Sequence, residues 1–249
     1  MISVIIHGCN GKMGKVLQQI IASDPDLEIV AGIDKHIDGP NPFKFYRSPA
    51  ECEHKADILI DFSHYTATAE LLDYCIKSQT PVIIATTGLG DDERKAIREA
   101  SEKIPVFHSA NMSLGINVLA KALGMLVPTL EQDFNIEIIE KHHNKKADSP
   151  SGTALLLAET INEACQIKKD FIYGRHGKSD SCKISDLGIH AVRGGSIPGE
   201  HTILFAGPDE VIEITHTAYS REIFARGAIK AAKFLVAREK GLYSMNDLV

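Results

Sequence analysis

Cysteine is scarce in this chain and follows no ordered pattern. Cys9, Cys52, Cys75, Cys165 and Cys182 are the five in 249 residues, an odd number, and no two form a Cys-x-x-Cys pair. That spacing excludes a disulfide framework and a cysteine-based zinc site, and it fits thiols kept reduced in a cytosol. No apolar run approaches the roughly 20 residues needed to cross a bilayer. The N-terminal apolar run is only strand-length and has no basic stretch before it, which argues against a targeting leader. Positive charge is also not in surplus. The formal net charge is -6, so the broad basic face on which nucleic-acid binding depends is missing. The expectation is a soluble, cytoplasmic protein with no metal site, no membrane partner and no nucleic-acid partner. Its length allows one large domain or two smaller ones with a full core.

What is present begins with β-branched residues. Ile2 to His7 reads as a strand, runs into Gly8-Cys9-Asn10-Gly11-Lys12-Met13-Gly14, and is followed by helical spacing at Val16, Leu17, Ile20 and Ile21. A second strand pattern runs from Leu27 to Asp34, completing a strand–helix–strand unit. The alternation continues with strands at 57–62, 81–85 and 105–107 and helices at 66–77 and 91–103. This predicts a Rossmann-like, doubly wound parallel sheet. Near Asn111 the pattern changes. A helix at 113–130 is expected, then a strand through Ile136, Ile138 and Ile139, then a helix after Pro150. Runs at 183–192, 201–205 and 211–217 follow with little helix between them, as in a smaller α+β domain with a mixed sheet. A closing amphipathic helix at 221–239 is expected to return to the first domain, and residues 174–181 read as a loop. The expected division is 1–111, completed by 218–249, for dinucleotide binding, and 112–217 for substrate binding and oligomerisation.

Gly8, Gly11 and Gly14 form a Gly-x-x-Gly-x-x-Gly turn between a strand and a helix, the setting in which a helix N-terminus receives a pyrophosphate. A plain tight turn would use the same residues. Asp34 stands at the end of the second strand, 20 residues after Gly14, where an acid can bond a ribose hydroxyl. Its carboxylate favours NADH, while Lys12 and Lys35 are close enough in sequence to tolerate the 2′-phosphate of NADPH. Thr86, Thr87 and Gly88 follow one strand end and Asn111 and Met112 another, the ends at which doubly wound sheets bind ligands.

The densest chemistry lies in Glu140-Lys141-His142-His143-Asn144-Lys145-Lys146-Ala147-Asp148-Ser149-Pro150-Ser151-Gly152-Thr153-Ala154. Two imidazoles and several ammonium groups gather between a strand end and a helix start. Asp148, Ser149 and Ser151 suit an N-cap, Pro150 suits a first helical turn, and Gly152 lets a ligand approach the backbone. Together they make a cationic cradle with backbone N–H donors for a carboxylate or phosphate. A histidine there can deliver a proton near neutral pH. Alternation along a strand does not decide between His142 and His143. His7 reads as a packed histidine near the glycine turn, and His201 and His216, in strand patterns, as structural or interfacial ones.

These motifs, with Ile60-Asp61-Phe62, Asn111-Met112-Ser113-x-Gly115-x-Asn117, Arg193-Gly194-Gly195 and Gly199-Glu200-His201-Thr202, resemble the 4-hydroxy-tetrahydrodipicolinate reductase (dihydrodipicolinate reductase) family over nearly the whole chain. The resemblance implies reduction of a cyclic imine dicarboxylate with NADH or NADPH in diaminopimelate and lysine synthesis. It implies His142 as general acid and Lys146 as its partner in binding and protonation. It implies His143, Ser151, Gly152 and Thr153 as substrate-carboxylate contacts, and a homotetramer built through the second domain's sheet. Ser149 stands where alanine is usual in the motif, and Asp34-Lys35 where other members carry Glu-Arg or similar pairs. Against this reading stand a semialdehyde dehydrogenase, which would want an activated cysteine beside a histidine, and a nucleotide sensor, which would have no use for a second anion cradle.

Overall fold

A computed structural model describes residues 1–36, 42–178 and 182–249. The chain divides into two compact units, Met1–Leu114 with Arg221–Val249, and Gly115–Ser220. Part of the expected 174–181 loop, residues 179–181, lies outside the described residues.

The first unit opens with β1 (Ile2–His7), α1 (Lys12–Ile21), β2 (Leu27–Ile33) and β3 (Lys44–Tyr46). It continues through β4 (Ile58–Asp61), α2 (Thr68–Ser78), β5 (Val82–Ile84), α3 (Asp91–Ser101) and β6 (Pro105–His108). Between the units' remaining parts run α4 (Leu114–Leu130), β7 (Asn135–His142), α5 (Gly152–Ala164), β8 (Asp170–Tyr173), β9 (Asp186–Arg193), β10 (Glu200–Ala206) and β11 (Val211–Thr217). The first unit closes with α6 (Glu222–Leu235) and β12 (Gly241–Tyr243).

Seven parallel strands form the sheet of the first unit in the order β12-β6-β5-β4-β1-β2-β3. Parallel strands covered on both faces read as continuous apolar runs, and Val4, Ile5 and Ile6 are all fully buried. One core lies between the sheet and α1 with α6, through Leu17, Ile21, Ala228, Ala232 and Leu235. The other lies under α2 and α3, through Leu71, Leu72, Cys75 and Ile97. Strand order runs outward in both directions from β1, so the topological switch falls between β1 and β4. Sheets of this kind bind ligands at the carboxyl ends beside that switch.

The second unit carries a five-stranded mixed sheet in the order β11-β10-β7-β9-β8. β10 runs antiparallel to both β7 and β11, while β7, β9 and β8 run parallel. Burial alternates strictly along β7, as in a strand with one covered face. The covered face is apolar at one end, where Ile136, Ile138, Leu187, Ile189, Ile203 and Phe205 meet α4 and α5. Toward the other end the same face turns polar, with Glu140, His142, Arg193, His201 and His216.

Several element bounds differ from the sequence expectation, each for a local reason. The strand expected at 183–192 begins at Asp186, because Asp186 N–H donates to the Lys183 carbonyl and closes a turn. The last helix ends at Leu235 rather than at 239. Pro150 is not in the first turn of α5; Ser151 is still extended (φ -69°, ψ 152°) and the helix starts at Gly152. The short edge strands β3, β8 and β12 carry no periodic signal long enough to be read beforehand.

Candidate active site

In the first unit the sequence-predicted nucleotide residues lie in the segments that follow strand carboxyl ends, with Lys12, Met13 and Gly14 in the first turn of α1. Gly8 adopts φ +79° and a Cβ there would sit 2.8 Å from the Phe62 carbonyl oxygen. At Gly14 a Cβ would meet the Gly8 oxygen at 2.2 Å and the Cys9 oxygen at 2.5 Å, so the turn closes on α1 only without a side chain. Gly11 is the N-cap of α1 and supplies no side-chain cap. The first-turn N–H groups, among them those of Lys12 and Met13, therefore look out from the helix end, as a pyrophosphate cradle requires. Lys12 is exposed and Met13 half-buried against the core.

Asp34 ties this turn to β2. Its carboxylate accepts from Asn10 N–H (2.9 Å) and from His36 N–H (3.1 Å), leaving further lone pairs for a ribose hydroxyl. Lys35 beside it is exposed. Behind the turn lies a polar knot on Asp61, which is fully buried. Its carboxylate accepts from the Thr86 hydroxyl at 2.6 Å and Ser63 N–H at 3.0 Å, and stands 2.9 Å from His7 Nδ1. Burial pushes the Asp61 carboxyl up, but His7, Ser63 and Thr86 outweigh it and hold it below the usual range. The Thr86 hydroxyl is thus turned into the protein, while Thr87 and Gly88 are exposed. Met112 is a core side chain, and the Asn111 side-chain oxygen accepts from Ser113 N–H at 2.9 Å. Thr86 and Met112 can therefore meet a ligand only through their backbone.

The second unit assembles the histidine motif. His142 is the last residue of β7 and nearly buried, and His143 begins the following loop, half-buried, with its Nδ1 lacking a partner. Lys146 N–H donates to the His143 carbonyl, folding the loop back, and Lys146 Nζ pairs with Asp148 at 2.9 Å. Burial raises the Asp148 carboxyl, but the Lys146 bond prevails and the group stays low. Ser151 caps α5, its hydroxyl accepting from Ala154 N–H at 3.1 Å. Thr153 is half-buried on the first turn, and a Cβ at Gly152 would meet nothing within 4 Å, so a ligand has room to approach there.

Three residues of the same face were not singled out for a role by sequence. Glu140 is fully buried and accepts from His142 Nδ1 at 2.6 Å, from Ser151 N–H at 2.9 Å and from both terminal nitrogens of Arg193 at 2.7 Å each. Burial raises its carboxyl, but these bonds, led by Arg193, bring it below the usual range. Arg193 also donates to the Asp148 carbonyl at 2.7 Å. The signal was available: Glu140 and His142 are two apart on a strand and so share a face. Arg193 becomes visible only from the register that sets it beside His142.

His201 faces Glu140 across β7–β10 and His216 across β10–β11. Its Nε2 bonds the Ser151 hydroxyl at 2.9 Å and its ring packs edge-on against His142, centroids 5.1 Å apart. Burial, reinforced by His142, pushes the His201 imidazole down to about 4. Unfolded, it titrates near 6.5. Between these values the unfolded chain binds a proton that the folded chain refuses, so stability rises with pH there. It is complete above about pH 6.5 and lost on acidification toward pH 4, by on the order of 3 kcal/mol. Burial lowers His216 as well and adds to the slope. Urea midpoints should fall across that window, and His201→Gln should flatten the fall; an unchanged slope in that variant would assign it to other groups.

Gly199 completes the geometry around His142. It adopts φ +157°, and a Cβ there would approach His142 Nε2 to 3.2 Å. Any side chain at 199 would crowd that edge of the ring, while the Nδ1 edge is held by Glu140.

The family models and the curated relatives agree with one another. Residues 2–112 match the family model described as dihydrodipicolinate reductase, N-terminus, and residues 115–249 the one described as dihydrodipicolinate reductase, C-terminus. The 4-hydroxy-tetrahydrodipicolinate reductase of Caldanaerobacter subterraneus subsp. tengcongensis is 52% identical over 249 residues, covering 100% of this chain and 98% of the relative. That of Clostridium tetani is 47% identical over 253 residues, covering 100% and 97%. Among solved structures, the dipicolinate-bound dihydrodipicolinate reductase from Paenisporosarcina sp. TG-14 shares the fold, with a TM-score of 0.84 at 23% identity and complete coverage of both chains.

Proposed function

We propose a function from the premise that this chain belongs to the dihydrodipicolinate reductase family: it reduces 4-hydroxy-tetrahydrodipicolinate, by way of dihydrodipicolinate, to tetrahydrodipicolinate with NADH or NADPH, in diaminopimelate and lysine biosynthesis. The observation that carries the chemistry is the gathering of His142 and Lys146 around His201, which bonds Ser151 at the N-cap of α5, in a chain whose first unit presents an uncapped helix behind a glycine turn.

That turn fits a dinucleotide, because α1 offers first-turn N–H donors with no side-chain cap and Gly14 lets the turn close onto the helix start. Gly8, Gly11, Lys12, Met13 and Gly14 would hold the pyrophosphate and Asp34 a ribose hydroxyl, with Lys35, Thr86, Thr87, Gly88, Asn111 and Met112 at the neighbouring strand ends. When bound, the reduced nicotinamide supplies the hydride. The Asp34 carboxylate repels a 2′-phosphate, and the exposed ammonium groups of Lys12 and Lys35 offset that repulsion. NADH is therefore used and NADPH tolerated.

In the second unit Ser151, Gly152 and Thr153 hold one substrate carboxylate through first-turn N–H and hydroxyl donors. His143 and Lys146 add donors and charge, Lys146 dividing its ammonium between Asp148 and the ligand. His142 delivers the proton that the ring must take up as it is reduced, with Lys146 as its partner. The protein acts in the cytoplasm, in keeping with five free thiols. No helix among the described residues is long and apolar enough to cross a membrane. It assembles as a homotetramer through the face of the mixed sheet opposite α4 and α5, where Val192 and Val211 are exposed.

The test is nicotinamide absorbance with freshly generated 4-hydroxy-tetrahydrodipicolinate, NADH and NADPH in parallel. Rapid oxidation with either is expected, faster with NADH. Nucleotide binding without oxidation would sink the reductase assignment and leave a nucleotide sensor.

A further inference from the structure

We propose that Glu140 is a positioning residue for the reaction, fixing His142 with Nδ1–H turned inward and Nε2 presented as the proton-transferring nitrogen. The inference rests on the assignment of His142 as proton donor. Two observations and one general rule carry it. The His142 Nδ1–Glu140 contact is 2.6 Å, the short range of a charge-assisted bond, around a carboxylate with no exposure to solvent. A carboxylate on one imidazole nitrogen decides which nitrogen carries the transferable proton and stabilises the imidazolium. The Nε2 edge faces Gly199, the position where a Cβ would approach it to 3.2 Å and where the chain carries none.

A purely structural role explains less. The Arg193 fork already neutralises Glu140, and a buried ion pair of this kind is weak evidence for stability, since an apolar pair of similar volume often serves as well. The bond to His142 is the part that stability does not require. Glu140 also holds Ser151 N–H, so one carboxylate orients both the proton donor and the N-cap of the helix that receives the substrate anion. The charged and titratable groups around the His142 ring are Glu140 on its own strand, Arg193 on β9 and His201 on β10. His216 on β11 and Lys146 in the loop act on His201 behind it.

Glu140→Gln in the full-length protein removes the charge and keeps the shape. We expect kcat with NADH to fall by about 10²-fold, at the lower end for loss of an effective general acid. The NADH Kd stays unchanged, and the alkaline limb of the kcat profile moves to lower pH because the imidazolium loses its counter-ion. Combining Glu140→Gln with His142→Gln should cost no more than His142→Gln alone, as for residues acting through one step. Where the single variant does not fold because Arg193 is left unpaired, Glu140→Gln with Arg193→Met removes both charges and is read by the same profile. A folded variant with unchanged kcat and pH profile, or with only a raised KM, overturns the proposal. A slow His142→Gln beside a normal Glu140→Gln rejects the positioning role alone, whereas a normal His142→Gln rejects the assignment beneath it.

Discussion

Replacing His142 by glutamine is expected to lower turnover by about 10²–10⁴-fold while leaving NADH affinity at its original value. Glutamine nearly matches the reach of imidazole and can still donate an amide N–H toward Glu140, so the closed edge of the site keeps a hydrogen bond. What it cannot do is release a proton near neutral pH. The nucleotide cradle belongs to the other unit, built from Gly8 to Gly14 and Asp34, and none of those residues is changed. The two effects are separable by measuring kcat and, independently, the NADH Kd from quenching or enhancement of nicotinamide fluorescence. Loss of NADH binding would point to a folding defect, and wild-type turnover would remove His142 from the mechanism.

The second large effect should come from one methyl group. Gly14→Ala places a Cβ 2.2 Å from the Gly8 carbonyl oxygen and 2.5 Å from that of Cys9. Both obstacles are backbone, so no rotamer change relieves the clash; either α1 withdraws or the turn opens. Overpacking of this kind costs typically about 1–3 kcal/mol in stability. The cradle N–H groups move with it, and a loss of at least about 1.4 kcal/mol in nucleotide binding is a tenfold weaker Kd. Gly124→Ala is the matched comparison. A Cβ there meets nothing within 4 Å on the exposed side of α4, so it should leave the Kd alone and stabilise the helix by about 0.5–1 kcal/mol. Equal NADH affinity in the Gly14 variant would show that the turn does not hold the nucleotide.

The contrast between these residues shows what a sequence displays and what it hides. The parallel sheet was legible because its central strands are buried on both faces and therefore appear as unbroken apolar runs between helical spacings, as at Val4–Ile6 and Ile58–Ile60. The mixed sheet was legible from strand-like runs at 201–205 and 211–217 with no helix between them. The edge strands Lys44–Tyr46 and Gly241–Tyr243 were not, since three residues cannot show a period. In the second unit, the cluster from His142 to Thr153 was visible because its residues are neighbours in sequence. Arg193 and His201 were recognisable only as parts of a motif. Their placement beside Glu140 depends on strand register, which joins positions 53 and 61 residues away from it, and no local pattern encodes that. The direction of side chains was equally hidden. Thr86 and Met112 sit at the right strand ends, yet one hydroxyl points to Asp61 and the other side chain into the core.

The discontinuity of the first unit bears on how the protein comes into being on the ribosome. Its strands β1 to β6 are translated first, but the core on one side of their sheet takes Ala225, Ala228, Ala231, Ala232, Leu235 and Met245 from beyond the second unit. Until those residues emerge, the sheet face that α6 will cover stays wet and its outermost strand, β12, is not yet made. The second unit, one unbroken stretch from Gly115 to Ser220, needs nothing translated later to close its own core. Domains generally fold as units during synthesis, so the segment written second is the one that can be finished first, and the nucleotide-binding half waits on residues translated after Ser220.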